Sequence, residues 1–186
     1  MTRKFVLLAA LVGAPVAPYQ VALAGHHEAS SAVLHAAVID SEGKPIGTVA
    51  LEQTPNGVLI SAQIENLPPG EHGFHIHATG ICDPAAGFKT AGGHFAPRSN
   101  GHGVKEVLGP HAGDMPNQFA DDHEQLRVHV LNPNVSLMPG FNSLRDVDGS
   151  ALVIHEGADD YTSQPSGAAG KRLACAVISP PTTDAD

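Results

Sequence analysis

The chain has 186 residues, 42% of them hydrophobic, which is enough for one domain with a substantial core. Ten basic against nineteen acidic residues give a formal charge of −9. That balance argues against nucleic acid and anionic membranes as partners.

Residues 1–24 read as a secretory signal peptide. Arg3 and Lys4 supply a positive start, residues 5–17 are an apolar run, and Val21-Ala22-Leu23-Ala24 ends in a small-x-small pattern. A membrane anchor is the weaker reading, because the run is short for a bilayer and contains Pro15 and Pro18. Cleavage after Ala24 removes two of the ten basic residues and no acid, and places the mature protein in the periplasm or outside the cell. No membrane partner is expected after cleavage. Residues 25–31 form a short extension that starts Gly25-His26-His27. A disordered polar terminus is its simpler reading. The alternative is a square-planar Cu(II) site made from the free amine, two backbone amides and the His27 ring.

The domain proper, residues 32–179, reads as all-β. Residues 32–40, 47–53 and 57–65 show partial alternation, separated by the turns Glu42-Gly43-Lys44 and Pro55-Asn56-Gly57. Gly73-Phe74-His75-Ile76-His77 follows as a strand. Period two puts His75 and His77 on one face and Phe74 and Ile76 on the other. Residues 78–118 resist assignment. They are rich in Gly and Pro, and they carry Gly93-His94-Phe95, His102 and His111-Ala112-Gly113-Asp114. Residues 126–131, 151–155 and 172–179 read as further strands, the second ending in His155. Residues 157–171 form another irregular stretch. Long loops of this kind in a compact domain are functional or disordered, and ligands on them favour function. Residues 180–186 read as an acidic C-terminal tail.

Six histidines and one carboxylate are enough for two adjacent metal ions. All-imidazole coordination suits copper, and mixed nitrogen and oxygen coordination suits tetrahedral zinc. In an exported chain the two cysteines, Cys82 and Cys175, form a disulfide by default. The rival reading, two thiolate ligands, lacks a Cys-x-x-Cys pair.

The motifs in order resemble the copper,zinc superoxide dismutases over nearly all of the mature region. They are His75-Ile76-His77, Gly93-His94-Phe95-Ala96-Pro97, Gly109-Pro110-His111-Ala112-Gly113-Asp114, Val153-Ile154-His155-Glu156 and Gly170-Lys171-Arg172-Leu173-Ala174-Cys175. From His94 the ligand positions are spaced by eight, nine and three. The resemblance implies an eight-stranded, flattened Greek-key β-barrel, an immunoglobulin-like sandwich, with two long functional loops. It implies conversion of superoxide, a small anionic substrate, into dioxygen and hydrogen peroxide. One copper and one zinc ion per subunit are implied as cofactors. His75, His77, His94 and His155 match the copper ligands, and His94, His102, His111 and Asp114 the zinc ligands. His94 is the shared imidazole and takes a proton during the cycle. Asp159 matches a carboxylate joining His75 to His102, and Arg172 an arginine beside the copper.

Only four residues separate His77 from Cys82, and eleven separate Cys82 from His94. That arrangement resembles the bacterial, periplasmic branch, which includes monomers as well as dimers, so a homodimer is an open expectation. Among the other histidines, His72 shares parity with Phe74 and Ile76 and reads as a packed structural residue. His129 reads as solvent-facing, and His35 and His123 carry no signal. A rival function is a copper or zinc binding or delivery module without turnover. Completeness of the ligand set together with Arg172 argues against it.

Overall fold

Period-two patterning builds the wall of the fold. Strand β2 (Pro45–Thr54) buries Val49 and Leu51, and β3 (Gly57–Ile64) buries Val58, Ile60, Ala62 and Ile64. On β7 (Leu126–Asn132), Leu126 and Val128 are buried between exposed Arg127 and His129. The turn after β1 (Val33–Asp40) is fixed by Asp40, whose Oδ1 accepts the N–H groups of Glu42 and Lys44 at 2.9 Å each. The computed structural model describes residues 33–182. Residues 1–32, including the signal-peptide and Gly25-His26-His27 readings, and the final residues 183–186 lie outside the described residues.

The remaining strands are β4 (Gly70–His72), β5 (Phe74–His77), β6 (Gln118–Ala120), β8 (Ser150–His155) and β9 (Arg172–Ser179). The nine strands pair antiparallel in the order β4-β6-β7-β3-β2-β1-β9-β8-β5. β4 and β5 flank Gly73 in one run of chain, yet they stand at opposite ends of that order. This run therefore closes the sheet into the expected Greek-key β-barrel. The count differs from the expected eight because one strand is interrupted: Gly73 bonds through its N–H to Gly157 O and through its O to His155 N–H. β4 and β6, three residues each, are too short and too polar to show alternation in the sequence. Among the described residues the only helical pieces are the 3₁₀ turns Pro84–Ala86 and Lys89–Ala91, both in the loop after β5.

The main core fills the barrel and includes Phe74 and Ile76 of β5, Leu152 and Ile154 of β8, and Ala174 and Ala176 of β9. A second cluster joins Phe88, Ala91, Ala151, Val153 and Cys175, with Cys82 against it. Both faces of β8 are thus covered, and all six of its residues are buried. One face meets the barrel interior and the other meets the loop after β5. The same holds for β5, whose outward face carries His75 and His77, both buried.

Between β8 and β9 the register shifts at the end: Ile154 pairs with Ala174, but His155 pairs with Arg172. This bulge takes Leu173 out of the ladder, and Leu173 packs against the main core. Strict alternation from buried Ala174 would have sent Arg172 inward. The bulge instead sets Arg172 beside His155 on the outer face. Truncating Phe74, fully buried where β5 meets the core, is expected to destabilise the protein by about 3–5 kcal/mol. Denaturant unfolding of Phe74→Ala with the disulfide intact measures this.

Candidate metal centre

Backbone hydrogen bonds dock the long loop onto β5 and so bring the donors together. Ile76 N–H donates to Gly113 O at 2.9 Å, Phe95 N–H to Ile76 O at 2.8 Å, and Ala78 N–H to Gly93 O at 2.9 Å. His94 thereby bridges to His77, and Asp114 to His75. Gly113 is required at this approach, because a Cβ there would collide with the Ile76 carbonyl.

Two donor groups result. His75, His77, His94 and His155 offer nitrogens within 4.8 Å of one another, and so do the donor atoms of His94, His102, His111 and Asp114. His94 belongs to both. Its ring lies 4.2 Å from that of His75, 4.9 Å from His77, 5.1 Å from His102 and 5.4 Å from His111. Its Nδ1 faces Asp114 Oδ1 at 2.7 Å, and its Nε2 is buried without a hydrogen-bond partner.

The other rings are oriented from behind. His75 Nε2 donates to Asp159 Oδ2 at 2.9 Å, and His102 Nε2 to Asp159 Oδ1 at 3.0 Å. His77 Nδ1 donates to Gly92 O at 2.9 Å, and His155 Nδ1 reaches Gly170 O at 3.5 Å. Each contact places the proton on the outer nitrogen and leaves the inner lone pair free. His75 Nδ1 and His102 Nδ1 are indeed buried without hydrogen-bond partners. His102 Nδ1 lies 3.0 Å from Asp114 Oδ2, but misaligned for a hydrogen bond, as two donors converging on one cation would be. Asp114 is itself aimed by the N–H groups of Gly103 and His111, at 3.0 and 2.9 Å. Buried lone pairs that face one another or a carboxylate without a hydrogen bond are costly, and a cation in each group satisfies them. The residues present fit two metal ions.

Charge follows burial. Burial holds His94 down to about 4, against the opposing pull of Asp114, and holds His155 down to about 3, aided by His75. Burial and the neighbouring His94 keep His77 well below the ordinary imidazole range. For the carboxylates burial acts upward but is outweighed. Hydrogen bonds from His111, His94 and Gly103 hold Asp114 far below its usual value, and those from His75, His102 and Tyr161 hold Asp159 at about 2.

The two groups open into a cleft of about 340 Å³ whose lining includes His77, His94, His111, His155, Ser166 and Arg172, with Pro165 at its rim. Arg172 is half-buried, and burial lowers its pKa. Two of its N–H groups are held, Nη1 by Phe88 O at 2.6 Å and Nη2 by Gly92 O at 2.7 Å. Both carbonyls belong to the loop that the Cys82–Cys175 disulfide ties to β9, with Cα atoms 5.8 Å apart. Lys171 and Lys89 are exposed and line a neighbouring hollow with Arg172. His72 is buried apart from both groups, with its ring nitrogens 2.7 Å from His155 O and Pro68 O. His35, His123 and His129 are exposed.

Sequence reasoning missed three contributors: Asn117, Gln164 and Gly167. Asn117 pairs in both directions with the backbone of Asp159, at 2.9 and 2.8 Å. Gly167, at φ +69°, sits where a Cβ would fall on Asp159 Oδ1 and 2.7 Å from His102 Nε2. Nothing local marks the two amides. Gly167 is one glycine in a loop with several.

Residues 45–178 match the family model described as "Copper/zinc superoxide dismutase (SODC)". A relative named superoxide dismutase (Cu-Zn) 1, from Aquifex aeolicus (strain VF5), is 53% identical over 146 residues, covering 77% of this chain and 86% of its own. A SOD-like protein from Bacillus subtilis superposes with a TM-score of 0.75 at 35% identity, over 80% of this chain and 99% of that one. The Cu/Zn superoxide dismutase from Brucella abortus gives 0.64 at 26% identity, over 79% and 99%.

In the metal-free protein, the unfolded imidazoles titrate near ~6.5 and take up protons that buried His94 and His155 refuse. Their contribution to stability is whole above about pH 6.5 and is lost as pH falls through about 4 and then about 3. The urea midpoint of the metal-free protein should therefore fall between about pH 7 and about pH 4, and a flat profile would contradict the burial argument. Gly167→Ala should displace Asp159 and weaken metal retention about tenfold, read by chelator competition on correctly disulfide-bonded protein.

Proposed function

The chain belongs to the copper/zinc superoxide dismutase family, and from that premise we propose which of its residues do the work. Its reaction is the conversion of two superoxide ions and two protons into dioxygen and hydrogen peroxide, with one copper and one zinc ion as cofactors. His75, His77, His94 and His155 would hold the copper, and His94, His102, His111 and Asp114 the zinc. The observation that carries this assignment is His94, which belongs to both donor groups, with Nδ1 facing Asp114 and Nε2 buried without a hydrogen-bond partner. Bound copper supplies one-electron transfer to and from superoxide, and bound zinc, which has no redox chemistry, supplies a fixed positive charge.

The chain's own residues do the rest. Arg172 has N–H groups beyond the two held by Phe88 and Gly92, and these dock a small anion at the floor of the cleft. The carbonyl grip keeps the guanidinium at one place while its charge stays available. His94 Nε2 takes up and returns a proton during turnover. Asp159 keeps the protons of His75 and His102 on their outer nitrogens, so the inner lone pairs point at the metals. Lys171 and Lys89 add to the local positive potential. A basic cleft can draw in superoxide although the protein as a whole is acidic. Residues 1–24 serve as a leader for the periplasm or the exterior, where the disulfide is stable.

Pulse radiolysis of the protein loaded with both metals should show rapid second-order loss of superoxide that disappears on copper removal. Raising salt should slow it, because charges beyond roughly 10 Å at 0.1 M are screened. Arg172→Ala should lower the rate about tenfold or more with copper content unchanged. Slow decay at full metal content would favour a binding or delivery role instead.

A further inference from the structure

Gln164 makes contacts out of keeping with its exposed position on the 157–171 loop. Its side-chain amide pairs in both directions with the backbone of a single residue. Oε1 accepts the His102 N–H at 2.9 Å, and Nε2 donates to His102 O at 2.8 Å. Nε2 also reaches Thr162 O at 3.1 Å, which braces the amide from its own loop. His102 is therefore gripped twice from the same loop: its ring by Asp159 and its main chain by Gln164.

The two grips control different coordinates. Asp159 sets the rotation and tautomer of the ring, while the Gln164 pairing sets where the Cα stands. The segment that follows needs such a tie. Residues 100–109 belong to no strand, and Val104, Val107 and Leu108 on it are exposed. Few other bonds link it to the 157–171 loop, the nearest being Lys105 N–H to Tyr161 O at 3.3 Å. On the other side of Gln164 stand Pro165 and Ser166, which line the cleft in front of His77, His94 and His155. Gln164 thus lies between the main chain of His102 and the cleft rim at Pro165 and Ser166.

We propose that Gln164 is a positioning residue: it clamps the main chain of His102 so that the ring stays in the zinc donor set, and it transmits zinc occupancy to the cleft rim at Pro165 and Ser166. This rests on the assignment of His102 to zinc. Without Gln164, His102 relies on Asp159 alone, and the rim loses its tie to the zinc loop.

The test uses full chain loaded with copper and zinc, and the variants Gln164→Ala and Gln164→Glu. The glutamate keeps an acceptor for His102 N–H and loses the donor to His102 O. Zinc release to a chromophoric chelator should be about tenfold faster in Gln164→Ala, with Gln164→Glu between it and the parent. Hydrogen exchange supplies a second readout that a merely structural residue would not move. In the parent, zinc should slow exchange at residues 162–168; in both variants this zinc-dependent slowing should be largely gone. Parental release rates, or zinc-dependent protection kept in the variants, would overturn the proposal. Should the alanine form fail to fold, the glutamate form decides by the same two readouts. A parent protein that takes up no zinc at His102 would overturn the metal assignment itself, a result distinct from unchanged behaviour of the variants.

Discussion

Imidazole lone pairs buried without hydrogen-bond partners are unfavourable unless a cation lies between them, and the fold is arranged to hold that situation in place. His75 Nδ1, His94 Nε2 and His102 Nδ1 are all buried without hydrogen-bond partners. What prevents them from turning away is behind them. Asp159 binds two of the rings at once, and it is held by Asn117 on its backbone and by Tyr161 N–H on its carboxylate. The site is a set of lone pairs whose alternative partners have been taken up elsewhere.

That arrangement is possible because β5 and β8 are buried on both faces. Phe74, Ile76, Leu152 and Ile154 point into the barrel, and His75, His77 and His155 point out beneath the loops. The barrel wall is stiff because its interior is close-packed. Donor side chains mounted on it therefore share a fixed frame, and the loops need only bring His94, His102, His111 and Asp114 to meet them. The disulfide does for Arg172 what Asp159 does for the His75 and His102 rings. It fixes a loop whose carbonyls at Phe88 and Gly92 hold Arg172, and Gly92 O also orients His77.

Much of this was legible in the chain. Seven of the nine strands show alternation or apolar runs, and their observed limits lie within about two residues of those expected. The gaps have physical causes. β4 and β6 are too short for a period to emerge. Arg172 has the wrong parity for the outer face until the bulge at Leu173 reverses it. Asn117 and Gln164 work through contacts with residues 42 and 62 positions away, which no local pattern can announce.

The sequence by itself determined the donor chemistry: which side chains offer nitrogen or oxygen, their order, and the two-residue step that puts His75 and His77 on one face. These are properties of residue type and strand periodicity, so they need no partner. Only the tertiary structure decided which nitrogen of each ring is free, that His94 faces both groups, and that Arg172 reaches the cleft. Those depend on hydrogen bonds and register between segments far apart in the chain, and such contacts exist only once the barrel has closed.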